Sequence, residues 1–155
     1  MKKIIAIITF LALSLAAETM TFKTLKNEYI QIKNNAGVFN FVNLKYHNKD
    51  TLLFFFGNEC PHCTTEIPQI KQLTDNPNIQ IIGIHAQADI GDSALKSYVK
   101  KIGYRFDVLS FSDDIKLINH LKNRGMWSGE VPYHVLVDKQ GNLKVVELNE
   151  LLGRF

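Results

Sequence analysis

Thr51-Leu52-Leu53-Phe54-Phe55-Phe56 is a near-continuous apolar run of strand length. It stops at Gly57-Asn58-Glu59 and is followed at once by Cys60-Pro61-His62-Cys63. A strand without polar alternation is covered on both faces, so the run predicts a central strand of an α/β domain. Pro61 falls at the first position of the helix that follows, where its missing N–H costs nothing and its fixed φ suits the helix. Cys60 is then the N-cap. Its sulfur faces unpaired backbone N–H groups and the positive end of the helix dipole, which favour a thiolate over a thiol. His62, when protonated, adds a positive charge to the same effect. Cys63 lies one turn on, within reach of a mixed disulfide formed at Cys60. This is the spacing of an attacking and a resolving cysteine.

Other uses of a C-x-x-C pair fit less well. A structural zinc site takes four ligands, and the chain has only these two cysteines. Haem attachment needs a histidine directly after the second cysteine, where Thr64 stands. A purely structural disulfide remains open, although so short a loop removes little entropy from the unfolded chain.

With 155 residues the chain forms one domain with a core that needs no disulfide staples. Met1-Lys2-Lys3 and the apolar Ile4 to Ala17 have the basic start and short apolar stretch of a secretory signal peptide. That stretch is too short to span a bilayer comfortably. Small residues at Ser14, Ala16 and Ala17 suit cleavage before Ala17 or Glu18, which gives residues 1–17 as leader and 18–155 as the mature domain. An uncleaved leader would instead anchor the chain to the membrane. Removing Lys2 and Lys3 leaves 16 cations against 15 acids, a net charge of about +1. The remaining Lys and Arg are scattered, so nothing points to nucleic acid. Export permits disulfides, and a C-x-x-C pair in that setting reads as a redox centre.

Glu18 to Lys26 reads as a surface arm. Tyr29 to Ile32 and Val38 to Phe41 alternate about the turn Asn34-Asn35-Ala36-Gly37 and predict an antiparallel hairpin. Val42 to Asp50 is irregular or a short helix. After the cysteines, Ile67, Ile70 and Leu73 share one helical face through about Asp75, with Pro68 expected to kink the helix. Ile79 to Ile84 is a second, branched apolar strand, so the unit is a right-handed βαβ and the pairing is parallel. A helix capped by Asp92 ends at Gly103, and Phe106 to Leu109 is a short edge strand. A second helix starts at Ser112 with Asp113 and Asp114 in its first turn and stops before Gly125. Met126 to Glu130 is a loop, and Trp127 could touch the site from it or serve core or rim. Tyr133 to Val137 and Leu143 to Leu148 form a terminal hairpin, and Asn149 to Phe155 a last turn or two of helix. His47, His85, His120 and His134 show no ligand spacing and read as ordinary side chains.

At this point the pattern resembles the exported, TlpA- and ResA-related branch of the thioredoxin-like oxidoreductases. Three features carry the resemblance: Cys60-Pro61-His62-Cys63 at a strand-to-helix junction, its extension through Glu66 and Pro68, and Gly129-Glu130-Val131-Pro132 leading into Tyr133 to Asp138 and Gly141. It implies an α/β thioredoxin-like fold, a central mixed sheet flanked by helices, with an N-terminal β-hairpin and a central helical insertion. It implies thiol-disulfide interchange in the periplasm by a monomer that needs no cofactor and no metal. Cys60, His62, Cys63 and Glu66 would be catalytic, Glu66 accepting the Cys63 proton from a partly buried position. Pro61, Val131 and Pro132 would hold substrate, Pro132 after a cis peptide bond and Val131 through its backbone by strand addition. The partners implied are protein thiols or disulfides and a membrane or periplasmic redox protein.

Two departures bear on redox direction. Glu59 replaces the tryptophan that usually precedes the first cysteine, and Pro61-His62 is similar to the dipeptide of the oxidant DsbA. His62 stabilises the Cys60 thiolate and so makes the disulfide more oxidising, whereas Glu59 opposes this by like charge. Screening at an exposed mouth weakens the Glu59 effect, so the expectation leans toward an oxidant. A reductase, for example in cytochrome c maturation, is the second reading. A redox-inert thioredoxin-like binding module is the third.

Overall fold

A computed structural model describes residues 17–155, so the predicted leader lies outside the described residues apart from Ala17. The near-continuous apolar run is strand β4 (Asp50–Phe56), with Leu52 to Phe56 fully buried. Each Leu or Phe so buried contributes about 1.5–3 kcal/mol of gross hydrophobic stabilisation, which makes β4 the anchor of the domain. β4 pairs in parallel with β5 (Ile79–His85) and antiparallel with β7 (Tyr133–Val137). β6 (Asp107–Val108) and β8 (Leu143–Val145) complete a mixed sheet of order β6-β5-β4-β7-β8.

Period-two alternation sorts the residues of β4 between two cores. Leu52, Phe54 and Phe56 share one core with Ile70 and Leu73 of α1 (Pro61–Thr74), Leu95 of α2 (Gly91–Ile102), and Leu148 and Leu151 of α4 (Leu148–Arg154). Leu53 and Phe55 share the other with Leu117 and Leu121 of α3 (Phe111–Asn123) and with the N-terminal strands. Those strands are β1 (Glu18–Lys23), β2 (Tyr29–Asn35) and β3 (Val38–Phe41), an antiparallel sheet of their own.

The β2–β3 hairpin, the βαβ unit, the two middle helices and the terminal hairpin fall where the sequence puts them. The expected surface arm is instead β1, paired with β2 from Glu18 to Lys23. Phe22 alone of its residues is buried, so pairing rather than composition makes it a strand. Helix α2 starts one residue before the expected Asp92 cap, and the Asp92 carboxylate accepts the Phe111 N–H at 2.9 Å across the gap to α3. α3 likewise starts earlier, with Ser110 at the N-cap position, while the Asp113 carboxylate accepts the Lys23 N–H at 2.6 Å. α1 runs through Pro68 to Thr74. β8 is shorter than expected, because Leu148 already opens α4.

Candidate active site

Cys60 is the N-cap of α1, Pro61 follows in its first turn, and the two cysteines form a disulfide with Cα atoms 5.3 Å apart. Cys60 Sγ accepts the Cys63 backbone N–H at 3.0 Å. That donor is one of the four the helix leaves unpaired at its start, so the sulfur occupies the place where a negative charge is best stabilised. Cys60 is 7% exposed and Cys63 1%. Pro61 and His62 are exposed beside them. Cys60 is thus the more exposed cysteine of the pair.

The segment between β4 and α1 is held from the side. Gly57 leaves room for the Gln87 side chain, whose amide oxygen accepts the Glu59 N–H at 2.9 Å. The Tyr98 hydroxyl donates to the Gly57 carbonyl at 3.3 Å, and Asn58 Oδ1 lies 2.8 Å from His85 Nε2. Burial lowers the His85 imidazole below its usual range, with the Asp89 charge opposing. These contacts fix the approach to Cys60 without touching either sulfur.

The register of β4 against β7 sets Phe55 opposite Tyr133. Pro132, one residue earlier, therefore lies at the end of β4 from which the chain runs on to Cys60. The Val131–Pro132 bond is cis, and both residues are half-buried. Trp127 braces this loop: its ring stacks on Phe55 at 5.5 Å and its indole N–H donates to the Glu130 carbonyl at 3.0 Å.

Glu66 lies one turn beyond Cys63 on α1, and its Oε2 is 3.1 Å from His134 Nε2 on β7. His134 is nearly buried and lies flat on Phe54, at 5.5 Å and 7°. The site thus brings together, at one end of β4, the cysteines, Pro61, His62 and Glu66 from α1 and Val131 and Pro132 from the loop before β7. Sequence reasoning read His85 and His134 as ordinary side chains and gave no role to Asn58 or Gln87. His134 stands opposite Phe54 in the β4–β7 pairing, a neighbourhood that the sequence alone does not give. Among the described residues, no group of three or more His, Cys, Asp and Glu is placed to hold a metal, and no helix is long and apolar enough to cross a membrane.

Comparison with known proteins gives a family and a fold. The soluble secreted antigen MPT53 of Mycobacterium tuberculosis is 34% identical over 68 residues, which are 43% of this chain. The match spans 38% of that relative. The solved structure of MTB DsbF, in mixed oxidised and reduced forms, superposes with a TM-score of 0.62 at 23% identity, over 87% of this chain and 91% of that one. A secreted M. tuberculosis disulfide oxidoreductase homologous to E. coli DsbE gives a TM-score of 0.58 at 24% identity, covering 87% and 92%. The fold is that of these thioredoxin-like proteins. The AhpC/TSA family model matches residues 19–146, and the chain belongs to that family.

Proposed function

We propose that the chain is an exported thiol-disulfide oxidoreductase that exchanges disulfides with protein substrates through Cys60 and Cys63. The observation that carries this is the disulfide at the head of α1, with Cys60 Sγ on the Cys63 N–H at 3.0 Å. Cys60 attacks or is attacked by the partner's sulfur, and Cys63 forms or breaks the internal bond. Glu66 moves the proton of Cys63, and His62, when protonated, adds positive charge beside Cys60. Pro61, Val131 and Pro132 hold the partner's extended segment. The partners are protein thiols and disulfides, together with a membrane or periplasmic redox protein that resets the pair. The protein works as a periplasmic monomer, freed by cleavage of its leader or tethered by it.

His62 and the helix terminus favour the dithiol form, so we read the protein as an oxidant. The reductase reading draws on the TlpA-related scaffold, whose usual members are reductive, and on Glu59, whose charge beside Cys60 opposes the thiolate. Equilibration with glutathione at neutral pH decides between them. A potential of about −150 mV or higher is expected, and one near about −250 mV or lower identifies a reductase. Cys63→Ser should trap partners as mixed disulfides on Cys60. If it traps nothing while Cys60→Ser leaves function intact, the domain is an inert binding module instead.

A further inference from the structure

Cys63 is 1% exposed, so water cannot readily take or supply its proton when the disulfide opens or closes. The side of the sheet behind it carries polar groups with no partner of their own. Glu66 Oε2 and His134 Nε2 approach to 3.1 Å, with side chains 20% and 7% exposed. Yet the two atoms are not aligned as a hydrogen bond, and neither has another partner. Tyr104, which meets Phe54 edge-on at 6.0 Å, has a buried hydroxyl that is likewise unpartnered. Burial, then the nearby Tyr98 and Glu66 charges, push the Tyr104 phenol above its usual range. Buried polar atoms normally find hydrogen bonds, and three neighbouring orphans call for a cause. A packing role alone does not supply one, because an apolar side chain would stack on Phe54 without the desolvation cost.

We propose that His134 is a positioning residue for proton transfer at Cys63, acting through Glu66. The inference rests on the exchange reaction proposed above. In the oxidising direction a substrate thiolate attacks Cys60 Sγ, the Cys60–Cys63 bond breaks, and the electron pair leaves on Cys63. The Cys63 thiolate takes a proton from the Glu66 carboxyl, and the carboxylate left behind faces His134, which holds it as an ion pair when protonated. In the reverse direction Glu66 removes the proton, Cys63 attacks Cys60, and the partner leaves as a thiolate that is protonated by solvent. Glu66 is the more exposed of the pair and gives the relay its route to water. Among the phenols on this side of the sheet, Tyr104 lies near enough to feel the Glu66 charge, and Tyr98 of α2 lies near Tyr104.

His134→Phe keeps a ring on Phe54 and removes the imidazole that faces Glu66. The reduced variant is reacted with oxidised glutathione, and the rate at which Cys63 resolves the Cys60–glutathione disulfide is followed from pH 5 to 9. Resolution should slow by about tenfold or more near pH 6–7 and approach the wild-type rate at high pH, where Cys63 ionises unaided. Alkylation of Cys60 by iodoacetamide should keep its wild-type rate. A wild-type pH profile, or a loss of the same factor at every pH, overturns the proposal. NMR titration of the His134 ring in the wild type is the second measurement. Its midpoint should move when dithiothreitol reduces the disulfide, and an unmoved midpoint overturns the proposal even if the variant fails to fold. Failure of the wild type to form any mixed disulfide would instead count against the exchange reading, and the NMR titration still judges the pair in that case.

Discussion

Asp114 is wholly buried, and its hydrogen bond comes from the His85 backbone N–H at 3.2 Å, which leaves Oδ1 without a partner. Burial pushes its carboxyl well above the usual range, helped by the Asp92 and Asp113 charges and opposed by the His85 N–H. An acid whose folded value is raised contributes most to stability below its unfolded value of about 3.9, and that contribution is lost as pH rises through the folded value. Asp114→Asn removes the charge at little cost in shape. The variant should be more stable than the wild type at pH 8 by denaturant unfolding, because it no longer has to hold a buried charge there. The gain should shrink toward pH 4, and a variant that is equally or less stable at pH 8 refutes this account. No local pattern marks Asp114 in the sequence, where an acid in the first turn of a helix reads as a dipole partner. Only the packing of α3 against β5 turns it into a buried carboxyl. The Glu66–His134 contact was hidden for the same reason, since it depends on the register between β4 and β7.

Among the elements, the β4–α1 unit was legible because its signals are local: a near-continuous apolar run, a proline at the first helical position and a cysteine cap. β1 was not, because Thr19, Met20 and Thr21 say little about pairing and the strand exists through β2 and α3. The Asp113 carboxylate holds it there, accepting the Lys23 N–H at 2.6 Å and the Lys116 ammonium at 2.6 Å. Burial raises the Asp113 carboxyl, but these hydrogen bonds outweigh it and leave it below its usual range. Its contribution is present above the unfolded value and is lost as pH falls through the folded one. Asp113→Ala should cost about 1.5–3 kcal/mol, as expected for a charge-assisted bond to a backbone donor. Hydrogen exchange should show the loss of protection concentrated in β1 and β2. A loss spread evenly over the central sheet would show that Asp113 does not act through β1.

For the whole molecule, a cycle links redox direction to stability. Whatever makes the disulfide a strong oxidant does so by favouring the folded dithiol, so an oxidant is more stable reduced than oxidised. Thermal unfolding with and without dithiothreitol should therefore give the higher Tm for the reduced protein, whereas a lower Tm on reduction marks a reductant. A second feature acts at this scale. The buried Asp107 carboxylate of β6 is held by Lys26 at 2.9 Å, Lys45 at 2.6 Å and the Tyr46 hydroxyl, which ties the N-terminal segments to the central sheet. Burial alone would raise that carboxyl, yet these hydrogen bonds keep it below its usual range. Alongside, the Leu25 N–H donates to the Val108 carbonyl at 2.9 Å and the Ser110 N–H to the Lys23 carbonyl at 2.8 Å. The chain thus supplies its own neighbour to the β6 side of the sheet, where bare main-chain groups would otherwise template pairing with another molecule. On the far side the outermost strand has only three residues, a poor seed for cross-β stacking. The central sheet is in this way protected at both ends from edge-to-edge joining with another chain.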